Sequence, residues 1–249
     1  MRFSIRAVSQ RRYKIGTRGQ IFSINMEFRQ RLGSGGFAHV FEGIYHGSPV
    51  AVKKMKTCTK NPAATLEAFE AEAQLLGLQH PHIIHLMAVS RQPDQIIIME
   101  WIAEAQTLQV LIDNGALYDW RHYATQLTSA LQYLHQHDIL HLDIKTSNIL
   151  VTLQNDCKLI DFGCSQKASN PSQSACQGTL AYRAPELFRG RLPTTKADVY
   201  SLAITLWSLK TQQTPYKGEN NEMIVYQVVA QRRRPAPDPE FSMLWHQDP

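Results

Sequence analysis

Apolar residues follow two different rhythms along this chain. From Glu27 to Ile102 they alternate or run in short blocks, the pattern of strands. Phe37 to Gly43 and Ser48 to Lys54 predict two strands joined by a turn at His46-Gly47. Asn61-Pro62 predicts a helix start, with Asn61 as N-cap and Pro62 at the first helical position, and apolar spacing carries the helix to about Leu78. Gln95 to Met99 predicts a short buried strand. After Ile102 the rhythm becomes helical. Leu127, Leu131 and Leu134 fall at i, i+4 and i+7 within Trp120–His137, with Asp119 as N-cap. Ala197 to Leu209 and Glu222 to Ala230 read as two more helices. The expected fold class is α+β, a β-rich lobe over residues 27–102 followed by an α-rich lobe over 103–234. A cleft between two such lobes is a usual place for a ligand.

Charge changes the picture only at the ends. The 249 residues carry 26 Lys+Arg against 21 Asp+Glu, a net charge of +5. Six basic residues (Arg2, Arg6, Arg11, Arg12, Lys14, Arg18) and no acid lie in residues 1–26, so the rest of the chain is close to neutral. We read 1–26 as a basic tail and 235–249, rich in proline, as a second tail. A body without net basicity argues against a nucleic-acid partner. No apolar run reaches the length of a membrane span. Cys58, Cys157, Cys164 and Cys176 form no CxxC pair and read as free thiols. His80, His82 and His85 flank Pro81 and read as a loop rather than a metal cluster.

Three motifs carry chemistry. In Leu32-Gly33-Ser34-Gly35-Gly36-Phe37-Ala38-His39-Val40, closely spaced glycines let backbone N–H groups approach phosphates. Ala38 stands where a third glycine would complete G-x-G-x-x-G, a change expected to stiffen the loop slightly. No helix follows, which argues against a Rossmann or Walker loop. In Val50-Ala51-Val52-Lys53 a lysine sits in an apolar run and needs a counter-charge. Glu67, Glu70 and Glu72 are the choices. Glu70 and Glu72 lie about 200° apart around a helix, and Leu75 and Leu76 place Glu72 beside the buried stripe. The third motif is His141-Leu142-Asp143-Ile144-Lys145-Thr146-Ser147-Asn148, followed by Asp161-Phe162-Gly163, Gly178-Thr179 and Ala184-Pro185-Glu186.

This order and spacing resembles the protein-kinase signature set. Ile97-Ile98-Met99-Glu100, His141-Leu142-Asp143, Asp161-Phe162-Gly163-Cys164-Ser165, Tyr182-Arg183-Ala184-Pro185-Glu186-Leu187 and Lys196 to Trp207 are similar to the Mos family of serine/threonine kinases. The resemblance implies a two-lobed kinase fold, with ATP and Mg2+ as cofactors. It implies that Leu32, Gly33, Ser34, Gly35, Gly36, Phe37 and Ala38 cover the nucleotide, and that Val40 and Ala51 sandwich the adenine. Lys53 would hold the phosphates and be held by Glu72. Glu100 and Ile102 would offer backbone hydrogen bonds to adenine, with Met99 as gatekeeper. Asp143 would accept the substrate hydroxyl proton, with Lys145 and Thr179 beside it, and Asn148 and Asp161 would bind magnesium. It also implies a monomer in the cytoplasm that phosphorylates a protein, a MAP kinase kinase in oocyte meiotic maturation.

Two departures qualify that expectation. Leu142 stands where many kinases place an arginine that pairs with a phosphorylated activation loop, so activity without loop phosphorylation is expected. The C-lobe reads as short, leaving Glu186 without the arginine that pairs with it elsewhere in the family. A catalytically impaired pseudokinase or binding module is therefore the alternative.

Overall fold

A computed structural model of the chain describes residues 26–116, 118–173 and 178–235. Of the tails read at 1–26 and 235–249, all but Met26 and Pro235 lie outside the described residues, as does Cys176. The chain divides into two compact units, one of residues up to Gln79 together with Ile84–Ala103, the other of His80–Ile83 and the residues from Glu104 onward.

The first unit is built on one antiparallel sheet. Strands β1 (Met26–Ser34), β2 (Ala38–Tyr45), β3 (Ser48–Met55), β4 (Leu86–Ser90) and β5 (Ile96–Glu100) stand in the order β1-β2-β3-β5-β4. His46 and Gly47 turn between β2 and β3 with φ of 49° and 80°, the left-handed backbone that a two-residue hairpin demands. Opposed residues in an antiparallel ladder share a face, so register sorts the side chains. Val40 opposes Lys53, and Ala51 opposes Met99. These four lie on one face. Val50, Val52, Ala88, Ile96 and Ile98 pack on the other, with Met26. Helix α1 (Pro62–Ala73) begins as its residues dictate: Asn61 accepts a hydrogen bond from the Ala64 N–H at 3.1 Å, and Pro62 is at the first turn. It ends five residues before Leu78, because the chain leaves through turns and Gly77 takes φ +97°. Leu75 is buried in those turns, so its apolar signal belongs to packing and not to helix.

The second unit is mostly helical. It holds β6 (Gln106–Thr107), α2 (Leu108–Asp113), α3 (Trp120–Gln136), β7 (Ile139–Leu140), β8 (Ile149–Val151), β9 (Cys157–Leu159), β10 (Gln166–Lys167), α4 (Pro185–Phe188), α5 (Thr195–Thr211) and α6 (Asn221–Val229). Asp119 caps α3, accepting from the Arg121 N–H at 3.0 Å. Two small ladders matter most for function. One joins β6, β8 and β9; the other pairs β7 with β10. Among the described residues no helix is long and apolar enough to cross a membrane.

Candidate functional site

Of the residues read as nucleotide-binding, the first unit places Val40, Ala51, Lys53 and Met99 on one sheet face, and Gly35 and Gly36 in the turn between β1 and β2. That turn is closed by the Gly35 N–H bonding the Ala38 carbonyl at 2.9 Å. A Cβ built on Gly33, Gly35 or Gly36 would meet no atom of the chain within 4 Å. Nothing inside the described protein requires glycine there, and the absent side chains leave the backbone open to a ligand. Leu32, Ser34 and Phe37 flank this turn, Leu32 exposed. Ala38 is the first residue of β2, opposite Met55 and two residues before Val40, so it lies on the sheet face of Val40 and Lys53.

Lys53 and Glu72 form an ion pair within this unit, the lysine side chain 12% and the glutamate 2% exposed. Glu70 is engaged elsewhere: its two oxygens take the Arg91 guanidinium at 3.0 and 2.7 Å. Glu67 points to solvent. A half-buried ammonium held at a buried carboxylate is a fixed positive charge, suited to an anion. Met99 is buried at the end of β5. The Glu100 N–H is bonded to the His85 carbonyl at 3.0 Å, so a backbone bond from this residue to adenine would use its carbonyl. Ile102 follows, partly exposed, after β5.

In the second unit the chemistry converges on Asp143, which is 8% exposed. Its Oδ2 accepts from Lys145 Nζ at 2.7 Å and Asn148 Nδ2 at 2.9 Å. Its Oδ1 accepts from the N–H and the hydroxyl of Thr179, both at 2.9 Å. Lys145 Nζ also reaches Thr179 Oγ1 at 2.7 Å. A carboxylate ringed by four donors has a fixed orientation. Gly178 sets the approach of the Thr179 segment. It takes φ +66°, and a Cβ on it would lie 2.3 Å from the Leu142 carbonyl oxygen, so only glycine fits. Beside Asp143 a pocket opens, lined by Leu142, Thr179, Tyr182, Arg183 and Leu187. Arg183 donates to the Gly178 carbonyl at 2.9 Å and lies over the Phe188 ring.

Asn148 and Asp161 are brought to the same end of one ribbon. Ile149 opposes Leu159 in the β8–β9 ladder, and the Ile160 N–H bonds the Asn148 carbonyl at 2.9 Å. Asn148 thus sits across from Ile160, next to Asp161. Mg2+ is commonly held by one or two carboxylates plus substrate phosphates, and one exposed aspartate beside an asparagine fits that donor set. No cluster of three or more His, Cys, Asp or Glu residues suited to a metal exists among the described residues. His80 and His82 are ring neighbours, with centroids 5.6 Å apart, and their ring nitrogens meet protein partners: His80 Nε2 lies 3.1 Å from Ser129 Oγ, and His82 Nδ1 3.0 Å from the Cys157 carbonyl.

Asp198 was not assigned a role from the sequence. It is fully buried at the start of α5 and accepts from the N–H groups of His141 and Leu142, each at 2.8 Å, and from His135 Nε2 at 2.9 Å. The signal was a charged residue inside an apolar helical run, which must have a partner. Leu142 takes φ +62°, a conformation costly for a branched side chain, and Asp198 holds it there. Cys164 also departs from expectation. It is disulfide-bonded, whereas Cys58 and Cys157 are free.

His141 is fully buried, with both ring nitrogens committed. Nδ1 accepts from the Asp143 N–H at 3.2 Å, and Nε2 lies 3.2 Å from the Ile160 carbonyl, so the neutral ring with its proton on Nε2 satisfies both. Burial pushes its pKa below the ordinary 6.5, against the opposing pull of Asp198, Asp143 and Asp161. A group with a depressed folded-state value stabilises fully above its unfolded value. That contribution is lost as pH falls below 6.5 toward the folded value. Urea midpoints at pH about 7.5 and about 5.5 should therefore differ more for the wild type than for His141→Gln. Equal differences would show that this ring does not titrate on unfolding.

Comparison with known proteins follows the same residues. The protein kinase domain model matches residues 26–247, taking in the segment from 235 that reads as a tail. The serine/threonine-protein kinase mos of Patiria pectinifera is 42% identical over 231 residues, covering 87% of this chain and 66% of that protein. The proto-oncogene serine/threonine-protein kinase mos of Mus musculus is 38% identical over 241 residues, covering 86% of this chain and 70% of that protein. The chain thus spans about two thirds of the length of these relatives.

Proposed function

The chain belongs to the protein kinase family, with Mos serine/threonine kinases among its relatives, and from that premise we propose that it transfers the γ-phosphoryl group of ATP to serine or threonine of a protein. The observation that carries the proposal is Asp143, held on both oxygens by Lys145, Asn148 and Thr179. Phosphoryl transfer asks the protein for positioning and charge neutralisation more than for covalent chemistry. Asp143 orients the acceptor hydroxyl and takes its proton at Oδ2 or Oδ1. Lys145, bridging Asp143 and Thr179, supplies positive charge near the transferred group. Lys53, fixed by Glu72, holds the phosphates of ATP. Asn148 and Asp161 would hold Mg2+, which neutralises charge on the phosphates when bound.

The protein substrate we propose is a MAP kinase kinase, in a pathway of oocyte meiotic maturation, acted on by a cytoplasmic monomer. Resemblance to the Mos kinases supports this part. The test is incubation of the purified chain with labelled ATP, Mg2+ and a MAP kinase kinase, followed by phosphoamino-acid analysis. Phosphoserine or phosphothreonine is expected. Phosphotyrosine, or no label on any protein, would overturn the reading.

A further inference from the structure

The ribbon next to the catalytic loop is very short, and a single half-buried side chain clasps its end. In it Gln166 opposes Leu140 and Lys167 opposes Ile139. A ladder of this size is marginal unless something else holds it. Asp138, at φ +62° just after α3, does so three times. Its carbonyl accepts the Ala168 N–H at 3.0 Å, its Oδ1 the Ser169 N–H at 2.7 Å, and its Oδ2 the Ser169 hydroxyl at 2.5 Å. The Ser169 hydroxyl, and to a smaller extent the charge of Lys167, holds the Asp138 carboxyl below the usual carboxylate range, so the clasp is an anion gripping two donors. On one side the ribbon leads into His141-Leu142-Asp143, and on the other it follows Asp161-Phe162-Gly163.

We propose that Ser169 is a phosphorylation site and that its phosphate opens this clasp, lowering turnover. In the step, the Ser169 hydroxyl oxygen bonds the γ-phosphorus of ATP, the bond from that phosphorus to the bridging oxygen of ADP breaks, and the hydroxyl proton passes to the base of the modifying kinase. The product has no hydroxyl proton to donate, and it sets a charge of about −1.5 to −2 against the Asp138 carboxylate. Lys167 is the cation at hand, and Leu142 offers none. Among the described residues the neighbouring serines do not share this chemistry: Ser165 is buried, and the Ser172 hydroxyl approaches the neutral Gln166 Oε1 at 3.5 Å. A phosphate on Ser169 therefore frees residues 168–169, and β10 frays from β7. The loss of turnover rests on the phosphotransferase reading; the opening of the clasp does not.

The test uses the full chain with phosphoserine installed at 169, at 172, or at neither. Amide exchange at Ala168 and Ser169 should rise about tenfold for phosphoserine at 169, the equivalent of one charge-assisted hydrogen bond lost. Phosphoserine at 172 should leave those amides unchanged. In Asp138→Asn the same phosphate should raise exchange less. Unchanged exchange at 168–169 would overturn the clasp. Phosphopeptide mapping of the chain recovered from expressing cells should find phosphate on Ser169; its absence there would overturn the site. Mapping Asp143→Asn in parallel assigns the source: phosphate on wild type alone points to a second copy of this chain, on both to another kinase. Turnover should fall for phosphoserine at 169. Equal turnover with raised exchange would overturn the coupling to catalysis, and absence of turnover in every form would sink the kinase reading while the exchange result still decides the clasp.

Discussion

Asp143→Asn should lower phosphoryl transfer by about 10²- to 10⁴-fold, the range typical of a lost general base. The geometry explains why an isosteric amide cannot substitute. An asparagine can turn its oxygen toward the N–H and hydroxyl of Thr179, but its NH2 then faces Lys145 Nζ and Asn148 Nδ2, donor against donor. The variant loses a proton acceptor and also the grip that fixes the loop. A stability loss of about 1–3 kcal/mol should accompany the rate loss, from polar groups left unpaired. Initial rates on a MAP kinase kinase and urea unfolding of the same preparation separate the two effects. Equal label on substrate from wild type and variant would refute the role given to Asp143.

Asp198→Ala should be the most destabilising single change in the second unit, by about 3–5 kcal/mol. The carboxylate is wholly buried and serves three donors, two of them backbone N–H groups of the catalytic loop. Truncation leaves those groups buried without an acceptor and releases Leu142 from its positive φ. Asp198→Asn keeps one acceptor oxygen and should fall between alanine and wild type. The check is the urea midpoint of the three proteins, with m-values compared to confirm that the native states stay equally compact. A midpoint for the alanine variant within error of wild type would mean that the loop does not depend on this carboxylate.

Much of this was legible in the sequence where the partners are close in the chain or fixed by periodicity. Lys53 and Glu72 are on adjacent elements, and helical geometry alone separates Glu72 from Glu70. The caps at Asn61 and Asp119 follow from local chemistry. The end of α1 was not legible, because Leu75 is as apolar in a buried turn as in a helix. Strand β4 was missed: it is five residues long, and four of them are buried, so it shows no alternation. The role of Asp198 depends on His141 and Leu142, more than fifty residues away, and the Asp138–Ser169 clasp likewise joins two loops that no spacing rule connects. Such contacts are set by tertiary packing.

Gly178 bears on inheritance. Changes at the third base of a glycine codon are silent, whereas every missense change at the first or second base introduces a Cβ. Here a Cβ would lie 2.3 Å from the Leu142 carbonyl, in backbone that cannot easily yield because Asp198 pins the neighbouring N–H. The position therefore has no graded alleles: a lineage keeps glycine at 178, or it loses the contact between the catalytic loop and the segment that carries Thr179.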